Sequence, residues 1–255
     1  MNFDITHLLE QWDYQPGQVV VRRFTAKDGV EKIQLRVDLG LLQMNAAGRP
    51  DGKRPLGHPS LFDYYQARFY KHLAESGGDD ASFSLKAEDC AKLQMEALQY
   101  HHRYICLLQL EDFAGVVRDT ERNLNVFDFV AKHAESEELT WSVQQFRPQL
   151  LMIHTRARAT EYLKVNDYST AIEQIEDGLG KIREFYQNHG RGDLIEQSGE
   201  LNSLKAWLEE VSRKRPLSKR EKLEQALNDA VTQEDYEKAA QMRDALRDLN
   251  IKEKS

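Results

Sequence analysis

The chain has 255 residues, of which 40% are hydrophobic and 30% are charged, and its formal net charge at pH 7 is −7. This is enough apolar material for one large domain or two smaller ones, which excludes a disordered acidic tail. The negative charge excludes a protein that coats nucleic acid with its whole surface. The two cysteines, Cys90 and Cys106, lie in apolar helical patterns. They lack the spacing of a disulfide scaffold or a four-thiolate zinc site, so we predict buried, reduced thiols.

The amino-terminal stretch MNFDITHLLEQWDYQPG has neither a basic leader nor an apolar core. No segment approaches the run of about 20 apolar residues that a membrane-spanning helix needs. We therefore expect a cytoplasmic protein that does not contact a membrane.

Residues 18–44 are rich in β-branched side chains and are divided by the turn signal Lys27-Asp28-Gly29. After this signal, apolar side chains alternate with polar ones: Ile33, Leu35 and Val37 with Gln34, Arg36 and Asp38. Before it, Val19 and Val21 alternate with Val20 and Arg22. Alternation places one kind of side chain on each face of a strand, so the pattern predicts a two-stranded β-hairpin. An isolated hairpin is marginally stable in water, and we expect a helix to cover one of its faces.

Residues 45–60, NAAGRPDGKRPLGHPS, are punctuated by glycine and proline and predict an ordered loop. We assign residues 1–60 to an N-terminal hairpin and loop that pack on a helical body. Five side chains could gather at the mouth of the hairpin and bind a ligand, namely Asp38, Arg49, Asp51, Arg54 and His58. The favoured interpretation is that Asp and Arg side chains order the Gly48–Gly52 loop by hydrogen bonds, since such turns form without any ligand.

From Leu61 the pattern becomes helical, and we assign residues 61–212 to a repeat-like helical domain. An acidic residue followed by an aromatic one recurs at Asp112-Phe113, Asp167-Tyr168 and Asp235-Tyr236, with apolar or small residues at matching distances on both sides. We predict three helical hairpins with one turn design, in which the acidic residue caps the second helix and the aromatic packs against the first. The alternative is a chance likeness between amphipathic helices, since the spacing between the copies is unequal.

The middle copy, residues 155–182, has small and large side chains where a tetratricopeptide repeat has its packing residues. They are Ala159, Tyr162, Tyr168, Ala171, Ile175 and Gly178. The segment from about 152 to 185 therefore resembles that family, which implies stacked hairpins that present a face to another polypeptide. Four arginines could hold acidic groups of a partner there, namely Arg118, Arg122, Arg156 and Arg158; each taken singly is better explained as a solvated residue. Thr120 and Asn123 depart from the repeat pattern, so a helical bundle is the alternative to a regular superhelix.

The segment KREKLEQALNDAVTQEDYEKAAQMRDALRDLN, residues 219–250, has two short amphipathic stretches on either side of the run Glu234-Asp235-Tyr236-Glu237. With Ala239-Ala240 and Met242-Arg243-Asp244 after that run, it resembles the UVR motif. This helical hairpin is shared by the UvrB and UvrC nucleotide-excision-repair proteins and by some protease-associated stress regulators. The resemblance implies self-association, or docking onto the UVR hairpin of another protein such as a repair subunit or a Clp-type chaperone.

Two stripes of this hairpin form the predicted partner-binding surface. They consist of Leu223, Leu227 and Ala230 on the first helix and of Tyr236, Ala239, Ala240, Arg243 and Leu246 on the second. So short a hairpin exposes more apolar surface than it can bury, and its alanines let a second hairpin approach closely, which favours a dimeric four-helix arrangement. We expect Arg243 to pair with Glu234, Glu237 or their counterparts in a partner. The alternative is that the hairpin packs on the preceding helices of its own chain.

Residues 213–222, RKRPLSKREK, carry six basic side chains around Pro216 and predict a basic linker, with Ser218 as a helix cap before the hairpin. Weak contact with nucleic acid through this segment is the less favoured interpretation, because it has no interleaved aromatic or glycine residues for base stacking. We treat the segment first as a solvated linker.

The sequence contains no GxxxxGK[ST] phosphate loop, GxSxG elbow, HExxH helix or GxGxxG turn. His101 and His102 are adjacent on a predicted helix and point about 100° apart, so they cannot bind one metal ion together. We therefore predict a mainly α-helical, non-catalytic interaction protein without cofactor or metal. Its body would bind a partner protein, and its UVR hairpin would dimerise or dock onto a UVR-bearing protein. The runner-up is a ligand-binding or enzyme-accessory protein with its site at the Gly48–Gly52 loop.

Overall fold

The computed structural model describes residues 4–252, and the side chains in that range except those of 219 and 250–252. Residues 1–3 of the amino-terminal stretch considered above lie outside it. The chain is mainly helical with a small antiparallel sheet near its amino terminus, which confirms the predicted fold class. It divides into two compact units, Met1–Leu208 and Glu209–Ser255. Within the described part, no helix is both long and apolar enough to cross a membrane.

A short helix precedes three strands that pair in the order β1-β2-β3. These elements are α1 (Thr6–Glu10), β1 (Val20–Thr25), β2 (Glu31–Val37) and β3 (Gly40–Asn45). The predicted β1–β2 hairpin is confirmed, with Gly29 at φ +78° and the Asp28 carboxylate accepting the Val30 backbone N–H at 3.0 Å. The expectation of only two strands is wrong. The turn between β2 and β3 is Asp38-Leu39, with Gly40 directly after it. It lacks the Asn-Gly or Asp-Gly pair that is typical of a two-residue hairpin turn, so residues 31–44 look like one strand.

Strand β2 is covered on both faces. Ile33 pairs with Met44 across the sheet, and both side chains lie in the hydrophobic core. On the other face, Arg36 is buried and donates to the backbone carbonyls of Trp12, Asp38 and Gly40. Helix α3 contacts both β1 and β2, so it is the helix that covers the apolar face.

The remaining helices follow in chain order. They are α2 (Leu61–Glu75), α3 (Ala87–Gln109), α4 (Phe113–His133), α5 (Glu137–Gln144), α6 (Arg147–Lys164), α7 (Tyr168–Asn188), α8 (Gly199–Lys214), α9 (Lys219–Thr232) and α10 (Tyr236–Lys252). In the first unit, α3 packs on α4, α4 on α6 and α6 on α7. Cys90 and Cys106 are buried in free form, as predicted, and burial raises the pKa of both thiols. We call this helical part of the first unit the helical body.

The turns α3–α4, α6–α7 and α9–α10 have the same backbone. The residue before each aspartate has a positive φ: 55° at Glu111, 60° at Asn166 and 57° at Glu234. The aspartate N–H then donates to the carbonyl five residues back, at 2.9, 2.9 and 2.8 Å. Each aspartate carboxylate accepts the N–H three residues ahead, on Gly115, Thr170 and Lys238. This combination of a left-handed helix end and an N-cap confirms the predicted capping by Asp112, Asp167 and Asp235.

Helices α6 and α7 approach closely at Gly178. A Cβ atom at that position would lie 2.6 Å from Cγ2 of Thr155, so only glycine fits without movement. Ala159 on α6 and Ala171 on α7 are buried, as is Ile175. The glycine and the two alanines account for the close approach of the two helices, while a regular tetratricopeptide arrangement stays a prediction.

The two residues that depart from the repeat pattern are both buried and hydrogen-bonded. The Thr120 hydroxyl lies 2.7 Å from the Val116 carbonyl, to which it donates, and 2.9 Å from Nδ1 of His154. The Asn123 amide donates to the Ala97 carbonyl across the α3–α4 pair at 2.9 Å. Both residues therefore carry buried polar groups whose hydrogen bonds are made inside the helical body.

Candidate protein-interaction site

The α9–α10 hairpin begins at a reciprocal helix cap. The Ser218 hydroxyl accepts the Glu221 backbone N–H at 3.1 Å, and the Glu221 carboxylate accepts the Ser218 backbone N–H at 2.7 Å. Together with the Arg215 guanidinium, the Ser218 N–H lowers the pKa of Glu221 to about 2. The predicted cap at Ser218 is confirmed.

Small residues flank the turn of the hairpin, where α9 and α10 pack against each other. Ala230 and Ala239 are buried there. Alanine at both positions lets the two helix backbones come close. Three more of the predicted partner-binding side chains, Leu223, Leu227 and Leu246, are half-buried.

Two further predicted partner-binding side chains, Tyr236 and Arg243, are exposed, while Ala240 is half-buried. Tyr236 is 71% exposed, and Val231 beside the turn, which lies outside the predicted set, is 50% exposed. Ala240 and Arg243 follow Tyr236 at intervals of four and seven residues, so the three lie on one face of α10. We call Tyr236, Ala240 and Arg243 the α10 stripe.

One detail of the predicted hairpin is wrong. Tyr236 is 71% exposed and does not pack against the preceding helix; the position six residues before it is the small Ala230, where the other two turns have Leu107 and Tyr162. Within the chain, Arg243 pairs with the adjacent Asp244 at 3.0 Å, and its pairing with the counterparts of Glu234 or Glu237 in a partner stays a prediction.

The predicted basic linker carries several ion pairs. Helix α8 continues to Lys214 and α9 begins at Lys219, so only 215–218 lie between the two helices. Lys214 pairs with Glu210 at 2.6 Å, and Arg215 pairs with Glu221. Arg220 pairs with Glu224 at 2.8 Å. These carboxylates offset the positive charge that would attract phosphate, which weakens the nucleic-acid alternative.

Hydrogen bonds hold the Gly48–Gly52 loop, as the favoured interpretation predicts. Arg49 donates to Glu96 at 2.8 Å and pairs with Asp51 at 2.9 Å, while Asp51 also accepts the Lys53 N–H. Arg54 is exposed. The expected gathering is wrong for Asp38, because strand β3 separates it from the loop by about 20 Å along the strand.

A buried charge network anchors this loop to the helical body. The Glu96 carboxylate is fully buried and accepts from Arg49, from Arg122 and from the backbone N–H groups of Leu61 and Phe62 at the start of α2. Arg103 makes two bonds to Asp119, at 2.6 and 2.8 Å, and donates to the Gly48 carbonyl at 2.7 Å.

Sequence reasoning missed Glu96, Arg103 and Asp119. The available signal was the spacing of charged residues inside apolar stripes: Glu96, Tyr100 and Arg103 share a face of α3 with core leucines. The Tyr100 ring lies 4.0 Å from the Arg122 guanidinium and 4.9 Å from that of Arg103, so both cations lie against the same aromatic ring.

Of the four arginines that could face a partner, three make contacts within the chain. Arg122 pairs with buried Glu96, and Arg118 pairs with Asp119. Arg156 donates to Ser203 at 2.9 Å and lies over the Trp207 ring. The fourth, Arg158, is half-buried. The favoured interpretation of a solvated arginine is wrong for Arg122, since Glu96 compensates its charge inside the core.

The adjacent histidines are packing residues on α3. Nδ1 of His101 lies 2.6 Å from the Tyr104 hydroxyl, and burial lowers the pKa of both His101 and His102. Among the described residues, no group of three or more His, Cys, Asp or Glu side chains is placed to hold a metal ion.

The geometry thus defines a capped helical hairpin with an exposed tyrosine, Tyr236, on the α10 stripe. A family model described as the UvrB/uvrC motif matches residues 218–251, which comprise the Ser218 cap and the described helices α9 and α10 up to Ile251. This confirms the resemblance of the C-terminal hairpin. No curated protein matches the chain, and no solved structure matches it.

Proposed function

We propose that the chain is a non-catalytic adaptor. Its helical body binds a partner protein, and its UVR hairpin dimerises or docks onto another UVR-bearing protein, such as a repair subunit or a Clp-type chaperone. The observation that carries this proposal is the 71% exposure of Tyr236 in a hairpin that the UVR model matches.

The composition of the α10 stripe supports an interface. Tyrosine and arginine are enriched among the residues that dominate binding energy at protein interfaces, and they act best when a partner removes them from water. Ala240 lies between Tyr236 and Arg243 and has no bulk to hold a second helix away. A helix laid along the stripe would bury the Tyr236 ring and could approach the α10 backbone closely at Ala240.

The ligand-loop alternative has less support. Arg49 and Asp51 pair with each other, and Arg49 also pairs with Glu96, so the charges of the Gly48–Gly52 loop are already compensated. A ligand would have to break these bonds and leave the buried carboxylate of Glu96 without one of its partners, which is costly.

The test compares the full chain with Tyr236→Asp, Ala240→Arg and the control Gln241→Arg. Gln241 is exposed and adjacent to Ala240 in sequence but lies off the α10 stripe. The two arginine variants therefore add the same charge, and only Ala240→Arg places it on the stripe. Molar mass is measured by light scattering. Captured proteins from a native lysate are identified by mass spectrometry and sorted by whether they carry a UVR hairpin.

We expect Tyr236→Asp and Ala240→Arg to abolish the dimer or the capture of a UVR-bearing partner, while Gln241→Arg retains it. Unchanged mass and unchanged capture in all three variants would show that the hairpin is not the docking element.

A further inference from the structure

The helical body contains a cavity of about 480 Å³ between α3, α4 and the α5–α6 segment. Its floor includes Val143, Leu150 and Phe127, which are all buried. Side chains in protein interiors pack closely and leave few voids larger than a water molecule. The volume falls in the range of about 300 to 1,000 Å³ that is typical of ligand pockets.

Three large apolar side chains stand exposed around the opening. Met95 is 62% exposed, Phe146 is 48% exposed and Leu98 is 43% exposed. No Asp, Glu, Lys or Arg occurs among the described residues that line the cavity, although 30% of the chain is charged. An ionic ligand would lose its hydration there without gaining a charged partner, so the lining selects for a neutral molecule.

The lining also includes a few polar side chains on α3 and α6. The ring of His101 uses Nδ1 in its contact with the Tyr104 hydroxyl, which leaves Nε2 of the same ring for another hydrogen bond. Burial lowers the pKa of His101, so its ring is neutral at pH 7. Gln149 lies exposed at the opening. These groups can hold one polar atom of a bound molecule and thereby orient it.

We propose that this cavity binds a neutral, largely apolar small molecule with a single hydrogen-bonding group. A partner helix, about 10 Å across, would lie on Met95, Leu98 and Phe146 but leave the buried floor unfilled. A slender molecule reaches Val143 and Leu150 and is also covered by the exposed side chains. The depth of the cavity therefore favours a small molecule over a polypeptide.

The experiment titrates the full chain with N-phenyl-1-naphthylamine, a neutral probe whose fluorescence rises in apolar surroundings. Leu98→Arg places a cation at the opening, and Ala97→Met fills part of the cavity without adding charge. The control is Leu39→Arg, which adds the same charge at an 89% exposed leucine in the β2–β3 turn. Circular dichroism verifies the fold of each variant.

We expect one probe per chain and a higher melting temperature with the probe bound. Affinity should fall at least about tenfold in Leu98→Arg, because a charge at the opening must be desolvated, and it should be unchanged in Leu39→Arg. Ala97→Met should weaken binding while its dichroism spectrum stays that of the original chain, which separates loss of the site from loss of the fold.

Absence of a fluorescence rise overturns the proposal, and so does equal binding by all variants. If the probe does not bind but Leu98→Arg alone loses a captured protein, the opening is a polypeptide site and the small-molecule proposal is wrong. The molar mass of Leu98→Arg should match that of the original chain, so this result is independent of the hairpin proposal.

Discussion

The α6–α7 turn in the helical body and the α9–α10 turn in the hairpin have the same backbone but different surroundings. In both, a residue with positive φ precedes an aspartate whose carboxylate caps the next helix. Tyr168 follows the first aspartate and is half-buried, whereas Tyr236 follows the second and is 71% exposed. Local sequence therefore determines the turn, and neighbouring elements determine whether its aromatic side chain is covered.

The helices of the helical body pack against more neighbours than those of the hairpin do. Helix α6 packs against α4 as well as α7, and a buried charge network links α3, α4 and the Gly48–Gly52 loop. A hairpin of two short helices can bury only the side chains between them, so apolar side chains on its outer faces stay in water. The 71% exposure of Tyr236 fits a hairpin too small to bury its outer apolar side chains.

The largest expected effect comes from breaking the network of the helical body. Glu96→Gln leaves Arg49 and Arg122 without their shared carboxylate, and we expect a loss of about 3 to 5 kcal/mol in the free energy of unfolding. Denaturant unfolding is followed by tryptophan fluorescence, because Trp12, Trp141 and Trp207 all lie in the first unit.

The control for Glu96→Gln is Glu88→Gln on the same helix. Glu88 is exposed and pairs with Lys92, so its loss should change stability by no more than about 0.5 kcal/mol. Equal effects of the two variants would show that the buried network does not stabilise the body.

A second, smaller effect is expected where α6 and α7 approach most closely. Gly178→Ala should cost about 1 to 3 kcal/mol, because the new methyl group overlaps Thr155. Gly180→Ala on the same helix meets nothing within 4 Å and should stabilise the body by up to about 1 kcal/mol through helix propensity. Denaturant unfolding followed by tryptophan fluorescence measures the change in the free energy of unfolding for each variant. Changes of the same sign would refute the close approach of α6 and α7 at Gly178.

How much of this fold the sequence predicts depends on how far apart in the chain the interacting residues lie. The turns are predictable because their cap and their flanking residues lie within about ten residues of one another. Strand β3 has a weaker local signal, since its turn, Asp38-Leu39 before Gly40, lacks the paired Asn-Gly or Asp-Gly of a typical two-residue hairpin. The contact between Arg49 and Glu96 joins residues 47 apart, which no local pattern specifies.

The candidate site shows the same limit. The apolar stripes of the hairpin follow from helical spacing, and the family resemblance adds the association that such hairpins serve. Spacing alone does not separate Ala239, which is buried, from Tyr236, which is exposed, because both belong to one apolar pattern. Likewise, Met95 and Leu98 look like core residues in sequence, and only the packing of α3 against its neighbours leaves them at the opening of a cavity.

The comparison of the two aromatic residues can itself be tested. Tyr168→Ala removes a half-buried ring and should cost about 1 to 2 kcal/mol, less than a fully buried aromatic would. Tyr236→Ala should change the stability of the isolated chain by no more than about 0.5 kcal/mol, because its ring is mostly in water. Thermal unfolding followed by circular dichroism at several protein concentrations separates this effect from association. A large loss for Tyr236→Ala at every concentration would place that ring in the chain's own packing.

The smallest expected effect is a pH dependence at the start of α9. The Ser218 backbone N–H and the Arg215 guanidinium lower the pKa of Glu221 from its ordinary value of 4.5 to about 2. Because the folded-state pKa is the lower one, the cap contributes fully above pH 4.5, and its contribution is lost as the pH falls towards 2. Carboxyl titration by NMR on the full chain should give a midpoint near 2 for Glu221. Ser218→Ala keeps the backbone donor and should leave most of that shift, whereas Arg215→Gln should raise the pKa part of the way. If Ser218→Ala raised it further than Arg215→Gln, the hydroxyl rather than the backbone and guanidinium would hold the carboxylate.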